Sequence, residues 1–199
     1  GIETKTTQLL LSADKPYTEE SGWGVTAAYT FSHGKGNRGS DEHYAFDGAT
    51  IDDYPFINLR AVPRHRLVLT GIYDLPWDIS LSAKATLASP LPINAIVGWW
   101  EYGASPRPPL IVSATPSDPI GTKQLDLTAS MDFKIMGDMT FQIRADAINV
   151  FNNKNYSSYS TNWGSGGNYN PTINTISTGG GVTSYSQERT LFISGRLTW

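Results

Sequence analysis

The chain ends with the stretch Leu191-Phe192-Ile193-Ser194-Gly195-Arg196-Leu197-Thr198-Trp199. From Leu191 onward, every second residue is apolar or glycine, and most of the residues between them are polar. Side chains of a β-strand point alternately to its two faces, so a period of two predicts a strand with one apolar and one mostly polar face.

The same period recurs upstream in segments of about ten residues, separated by stretches rich in Gly, Pro, Asn and Ser. The apolar positions of these segments are Leu9, Leu11 and Ala13; Trp23, Val25, Ala27, Tyr29 and Phe31; Leu67, Leu69, Gly71, Tyr73 and Leu75; Ile79, Leu81, Ala83, Ala85 and Leu87; Leu125, Leu127, Ala129, Met131, Phe133 and Ile135; Met139, Phe141, Ile143, Ala145 and Ala147. With the final stretch they predict an all-β, antiparallel structure of about seven strands.

The turn of one hairpin follows from its apolar pattern. Both strands must direct their apolar residues to one face, which restricts the register. Pairing Ile135 with Met139 meets this condition and leaves residues 136–138 as a three-residue turn, whereas a two-residue turn would mismatch the faces. Residues 76–78 predict a similar turn, and the first hairpin is expected to turn between Lys15 and Ser21.

The predicted connections alternate in length. Short turns near 15–21, 76–78 and 136–138 alternate with long connections near 34–63, 89–121 and 150–186. This asymmetry is typical of transmembrane β-barrels of the outer membrane, which have short periplasmic turns and long extracellular loops. A soluble β-sandwich is the alternative. Strands of about ten residues, aromatic residues collected beside the short turns, and charges on the alternate face of most strands, where a lumen tolerates them, favour the barrel instead.

Aromatic residues collect near the predicted strand ends. Tyr and Trp are enriched at membrane interfaces, where the ring meets both lipid and water. The residues near short turns predict a periplasmic girdle of Tyr17, Trp23, Trp77 and Trp199. Those near the long connections predict an opposite girdle of Tyr29, Phe31 and Phe151.

Composition excludes several other classes. No apolar run approaches the roughly 20 residues of a membrane helix, so a helical membrane protein is excluded. A net charge of -3 with scattered Lys and Arg argues against nucleic-acid binding. The chain has no Cys, and His33, His43 and His65 form no metal-binding spacing, so we expect no catalytic group, cofactor or metal site.

Four stretches of the sequence resemble recurring pieces of one family. They are Gly22-Trp23-Gly24-Val25-Thr26-Ala27-Ala28-Tyr29-Thr30-Phe31-Ser32, Pro63-Arg64-His65-Arg66-Leu67-Val68-Leu69, Tyr73-Asp74-Leu75-Pro76-Trp77, and Ala147-Ile148-Asn149-Val150-Phe151-Asn152-Asn153-Lys154-Asn155-Tyr156. The last is the most specific, because it is similar to the family's Asn-x-Phe-Asn-x-x-x-Tyr segment. Over essentially its whole length, the chain resembles the C-terminal barrel region of TonB-dependent receptors.

The resemblance implies an outer-membrane receptor in which a barrel of 22 strands surrounds an N-terminal plug that TonB pulls to admit a ligand, such as an iron chelate or a carbohydrate. Such a barrel needs on the order of 600 residues, and an odd count of seven strands does not suit a single-chain bacterial barrel. Residues 1–199 are therefore expected to be the C-terminal segment of one barrel domain, with the plug outside this chain. The implied partners are the rest of the barrel, the plug, TonB through the plug, and outer-membrane lipid.

Two sets of residues are candidates for contact with the ligand or the plug. Trp99, Trp100 and Tyr102 lie in one long connection and Trp163 in the next, where the strand pattern requires no rings. Such rings either stack on a ligand or pack the loops together. The charged strand residues expected to face the lumen are Arg66, Lys84, Asp126, Asp132, Lys134, Arg144, Asp146 and Arg196.

A second function remains open on the sequence. An independent small outer-membrane barrel acting as an adhesin, a passive pore or a structural protein would have the same strand pattern. We expect no catalysis in either case, because no grouping of Ser, His and carboxylate residues indicates an enzyme.

Overall fold

A computed structural model describes residues 3–37, 56–59, 62–97, 110–114, 121–155 and 188–199. The strands within these ranges are β1 (Thr4–Lys15), β2 (Trp23–Gly36), β3 (Ile57–Asn58), β4 (His65–Leu75), β5 (Ile79–Ala88), β6 (Ile93–Val97), β7 (Leu110–Ala114), β8 (Thr122–Met136), β9 (Met139–Ile148) and β10 (Thr190–Thr198). The expectation of an all-β structure is confirmed for this part of the chain. It contains no helix long and apolar enough to cross a bilayer.

Seven strands form one antiparallel meander in the order β1-β2-β4-β5-β8-β9-β10, and β3 extends this sheet by pairing with β2. These seven are the predicted strands. The short β6 and β7 form a separate hairpin within the connection between β5 and β8. Since each long strand lies beside its neighbours in sequence, all short turns fall at one end of the sheet and all long connections at the other. We call these the short-turn end and the long-connection end.

The register divides the sheet into two faces. Ala27 pairs with Ala13 on one side and Leu69 on the other, and Ala83 pairs with Leu127. Apart from the pair of Met136 with Met139, every register pair between neighbouring long strands joins two odd-numbered or two even-numbered residues. Odd-numbered strand positions therefore form one face, which we call the apolar face, and even-numbered positions form the polar face.

The hairpin between β8 and β9 differs from its predicted turn. The expected register holds from Leu127 opposite Ala147 to Lys134 opposite Thr140, but Met136 then pairs with Met139 across a register shift. The prediction of a three-residue turn over 136–138 is therefore wrong. The turn has two residues, and a bulge at Ile135 absorbs the mismatch of faces that such a turn creates. Gly137 takes a φ of 56° in it, a conformation that costs glycine little.

The apolar face has no cover of its own. Among the described residues, the buried apolar side chains are Ile57 and Ala88 alone, and both lie at the long-connection end. Large apolar side chains exposed on the apolar face are Leu9, Leu11, Trp23, Val25, Leu69, Tyr73, Leu75, Leu81, Leu87, Leu127, Phe133, Ile143, Leu191, Ile193 and Leu197. A β-sandwich would bury these residues against a second sheet. The described residues do not build that core.

Candidate functional site

The polar face carries a ladder of hydrogen-bonding side chains across five strands. Asp14, Thr26, Thr70, Lys84 and Asp126 are successive register partners from β1 to β8. They line a groove of about 540 Å³ together with Tyr17, Ser82 and Thr128. The eight charged residues expected in the lumen all occupy even-numbered strand positions, so they share this face.

Hydroxyl and guanidinium groups hold the carboxylates of the polar face. Thr26 donates to Oδ1 of Asp14 at 2.5 Å, and Thr128 donates to Oδ1 of Asp146 at 2.6 Å. Arg144 donates to both oxygens of Asp146 at 2.8 to 3.0 Å. The Arg144 side chain is half exposed, so this ion pair contributes little stability. The arrangement presents fixed acceptors and donors to water, to a hydroxyl-rich solute or to another polar protein surface.

A cluster of four asparagines follows β9. We call Asn149, Asn152, Asn153 and Asn155 the asparagine cluster. The Asn149 side chain donates to the Asn153 carbonyl and accepts from the Asn153 backbone N–H, both at 3.0 Å. Asn149 is 1% exposed, and Asn149 and Asn152 have φ values of 53° and 52°. Asparagine suits these positions because its short amide tolerates the left-handed region and mimics backbone hydrogen bonds.

The asparagine cluster fastens three strands at the long-connection end. Asn153 donates to the Lys123 carbonyl at 3.0 Å, and Asn155 accepts from the Lys123 backbone N–H at 2.6 Å, which ties the segment to β8. Asn152 accepts from the Arg189 backbone N–H at 2.9 Å, which ties it to the start of β10. The stretch 147–156, on which the family resemblance mainly rests, therefore connects β8, β9 and β10 through hydrogen bonds. Sequence reasoning did not assign this role, although four asparagines within seven residues signal a tight turn.

The predicted periplasmic girdle lies at the short-turn end, but its members do not share one face. Trp23 stands on the apolar face with the Lys15 ammonium 3.9 Å from its ring centre. Trp77 lies in the turn between β4 and β5, and Trp199 follows β10; both are highly exposed.

Tyr17 departs from this arrangement. Its hydroxyl donates to Oδ2 of Asp74 at 2.5 Å, and Asp74 belongs to the polar face. A Cβ at Gly24 would lie 2.6 Å from the Tyr17 backbone nitrogen, so the turn crosses the polar face where a glycine leaves room. The hydrogen bond to Asp74 raises the pKa of Tyr17 above its ordinary value.

At the long-connection end, Tyr29, Phe31 and His65 form a cluster of rings on the apolar face. The His65 ring lies 5.3 Å from that of Phe31, and Nδ1 of His65 is 2.8 Å from the Tyr29 hydroxyl. Phe151 is exposed beside the end of β9. Phe31 lies eight positions after Trp23 on β2, which corresponds to about 26 Å along the strand.

The four residues predicted to contact ligand, Trp99, Trp100, Tyr102 and Trp163, lie outside the described residues. Their role stays a prediction. In the described ranges, no group of three His, Cys, Asp or Glu side chains could hold a metal ion.

No protein-family model matches the chain, and no curated protein sequence matches it.

Proposed function

We propose that this chain is the C-terminal segment of an outer-membrane β-barrel transporter of the TonB-dependent type, and that the protein imports a ligand through a plugged barrel. One observation carries the proposal. A single antiparallel meander has an uncovered apolar face and a charged opposite face, over seven consecutive long strands.

Lipid is the environment that suits the apolar face. Soluble monomers rarely expose contiguous apolar patches larger than a few hundred Å², and an exposed apolar face spread over seven strands exceeds that scale. In a bilayer the same side chains meet hydrocarbon, and the strand backbones satisfy one another by pairing. The central positions of the face, such as Ala27, Leu69, Ala83 and Ala129, are all uncharged.

The polar face then lines the interior of the barrel. Inside the barrel, its carboxylate, guanidinium and ammonium groups contact water or the plug. A bilayer core offers charged groups neither of these partners. The groove over Asp14, Lys84 and Asp126 lies on this side.

The sheet edges support a larger barrel. Within the described residues, β1 pairs with β2 alone and β10 pairs with β9 alone. Unpaired backbone groups are costly in hydrocarbon, so both edges require further strands. The rest of the same barrel is the partner that this proposal assigns to them.

Cysteine accessibility tests the assignment of faces. The chain contains no Cys, so each introduced cysteine is unique within it. Ala129 and Ser130 are neighbours on β8 and belong to opposite faces. In cells that express the intact protein, we expect a small membrane-impermeant thiol reagent to label Ser130→Cys much faster than Ala129→Cys. Equal labelling of both variants, in protein shown to be in the outer membrane, would contradict the proposal.

Energised uptake requires a separate test. Cells with and without the intact protein are compared for uptake of radiolabelled ferric chelates and labelled oligosaccharides, in the presence and absence of a proton uncoupler. The transporter proposal expects uptake of at least one probe that depends on both the protein and the proton gradient. Uptake that persists after uncoupling would favour the passive pore.

A further inference from the structure

The apolar face carries charge of one sign only. Within the seven long strands, every Lys, Arg, His, Asp or Glu residue on this face is basic and lies near a strand end: Lys5, Lys15, His33, Lys35, His65 and Lys123. Every acidic residue of these strands lies on the polar face: Asp14, Asp74, Asp126, Asp132 and Asp146. A face that meets only water has no reason to exclude carboxylates, whereas a face bordered by anions does.

Four of these basic residues gather at the long-connection end of β1, β2 and β4. We call Lys5, His33, Lys35 and His65 the basic rim. Lys5 lies opposite Lys35, Thr7 opposite His33, and Phe31 opposite His65. Since residues two apart on a strand are about 7 Å apart, Lys35 and His33 can contact one bound group from the same side.

Lys5 and Lys35 are like charges that lie directly opposite each other. Like charges directly opposite each other destabilise an antiparallel pair. The Lys5 ammonium lies 3.3 Å from Glu3 and 5.0 Å from the centre of the Phe56 ring. The side chains of Lys5 and Glu3 are both more than half exposed, so their ion pair is weak. Lys35 is exposed, and the described residues include no carboxylate in ion-pair contact with it. An anion between the two ammonium groups would remove the repulsion.

Apolar side chains continue directly from the basic rim. Leu9 pairs with Phe31 and Leu11 with Tyr29, and the two leucines are 50% and 55% exposed. A molecule that reaches from Lys35 down this surface meets cations first and hydrocarbon side chains next. Free phosphate or a soluble polyanion would contact only the basic rim and not the apolar side chains beside it.

We propose that the basic rim binds the phosphate headgroup of a membrane lipid, whose acyl chains lie against Leu9 and Leu11. The inference rests on the proposed function, because it needs the apolar face to lie in a bilayer. Lys5 and Lys35 provide the charge. His65 uses Nδ1 in its contact with Tyr29, which leaves Nε2 for the headgroup.

Lipid binding to the intact protein in detergent, followed by native mass spectrometry, tests the proposal. Phosphatidic acid is compared with phosphatidylcholine of the same chains. We expect the Lys5→Ala/Lys35→Ala double variant to bind phosphatidic acid about twenty-five-fold more weakly, at about fivefold per lysine. The Lys5→Arg/Lys35→Arg variant should retain binding. Lys134→Ala is the matched control, because Lys134 is an exposed strand lysine on the polar face.

Each outcome decides between stated alternatives. Equal binding of phosphatidic acid by the double alanine variant and the wild type would overturn the inference. Displacement of the lipid by inorganic phosphate at comparable concentration would also overturn it, because the acyl chains would then contribute nothing. Quenching of Trp fluorescence by brominated lipids in nanodiscs tests bilayer insertion separately. Absence of quenching would contradict the proposed function itself, whereas quenching without a lysine effect would contradict only the lipid site.

Discussion

The backbone N–H of Asn149 donates a 2.9 Å hydrogen bond to Oδ1 of Asp126, which lies 23 residues earlier in the chain on the adjacent strand β8. Asn149 is almost fully buried, so this donor has no access to water. A buried N–H without a partner is costly, and here a side chain of the polar face supplies the partner. The end of β9 is thereby coupled to Asp126 on the polar face.

Replacement of Asn149 tests the side-chain hydrogen bonds of the asparagine cluster. Asn149→Ala removes two hydrogen bonds to Asn153 and places an alanine in the left-handed region, so we expect a loss of about 2 to 4 kcal/mol in the free energy of unfolding. Asn149→Gly keeps the backbone favourable and should lose less. Urea unfolding of the intact protein in lipid vesicles measures both variants. Equal stability of the alanine variant and the wild type would show that the asparagine cluster does not fasten the strands.

The two faces of β8 should respond differently to a charge. Ala129→Arg puts a guanidinium in the middle of the apolar face, which costs about 2 to 4 kcal/mol at the bilayer midplane. Ser130→Arg puts the same group on the polar face and should cost far less. The measurement is again unfolding in vesicles. If the two variants are destabilised equally, the apolar face does not meet lipid.

Loss of Trp199 should impair assembly. Trp199 is 87% exposed after the last strand at the short-turn end, so its ring is available to the interface or to the assembly machinery rather than to the fold. We expect deletion of Trp199 to lower the amount of intact protein in the outer membrane, while the assembled fraction keeps its ligand affinity. Quantitative surface labelling provides the first value and equilibrium binding the second. Normal surface levels would contradict the prediction.

The loop aromatics should contribute to ligand capture. Replacing Trp99 and Trp100 by Ala is expected to weaken ligand binding by roughly 1 to 3 kcal/mol, the scale of losing aromatic contacts at a binding site. Barrel assembly should be unchanged, as judged by heat-modifiable mobility on gels. Unchanged affinity in the assembled double variant would mean that these rings only pack loop against loop.

Tyr17 should titrate above a free tyrosine. Its hydrogen bond to Asp74 raises the pKa of Tyr17 in the folded protein. The bond therefore contributes its full stability below the pKa that Tyr17 has in the unfolded chain. This contribution is lost as the pH rises through the higher pKa of the folded state. The ultraviolet difference spectrum between the wild type and Tyr17→Phe isolates this phenol. Asp74→Asn removes the charged acceptor and should bring the titration back toward the free value. An unchanged titration in Asp74→Asn would argue against the bond.

Strand positions and their register could be predicted because one physical rule governs them. Apolar residues two apart must share a face, and this condition alone aligned Leu127 with Ala147 and Phe133 with Phe141. The bulge was missed because it breaks that rule locally. Its signal is the adjacent apolar pair Ile135-Met136, where the alternation fails.

Other features depend on contacts that periodicity does not report. Tyr17 is predicted to share one girdle with Trp23. The face on which a turn residue lies depends on the path of the turn, and this turn passes over Gly24 on the polar face. The hydrogen bonds that the backbone N–H groups of Arg189 and Lys123 donate to Asn152 and Asn155 join residues more than 30 positions apart. The sequences of β6 and β7 are five residues long and do not alternate between apolar and polar residues, so they do not distinguish a hairpin from an irregular loop.

The two edges of the sheet have a further consequence. Neighbouring strands of the meander run in opposite directions, so β1 and β10, the first and seventh in order, run the same way. All copies of a barrel protein have the same orientation in a membrane, and an edge of one copy therefore meets an edge of another only in parallel, which breaks the antiparallel hydrogen-bond pattern. The edge strands β1 and β10 of two copies therefore cannot pair with each other in the antiparallel arrangement. Antiparallel closure requires a segment with an odd number of strands whose first and last strands both run opposite to β1 and β10.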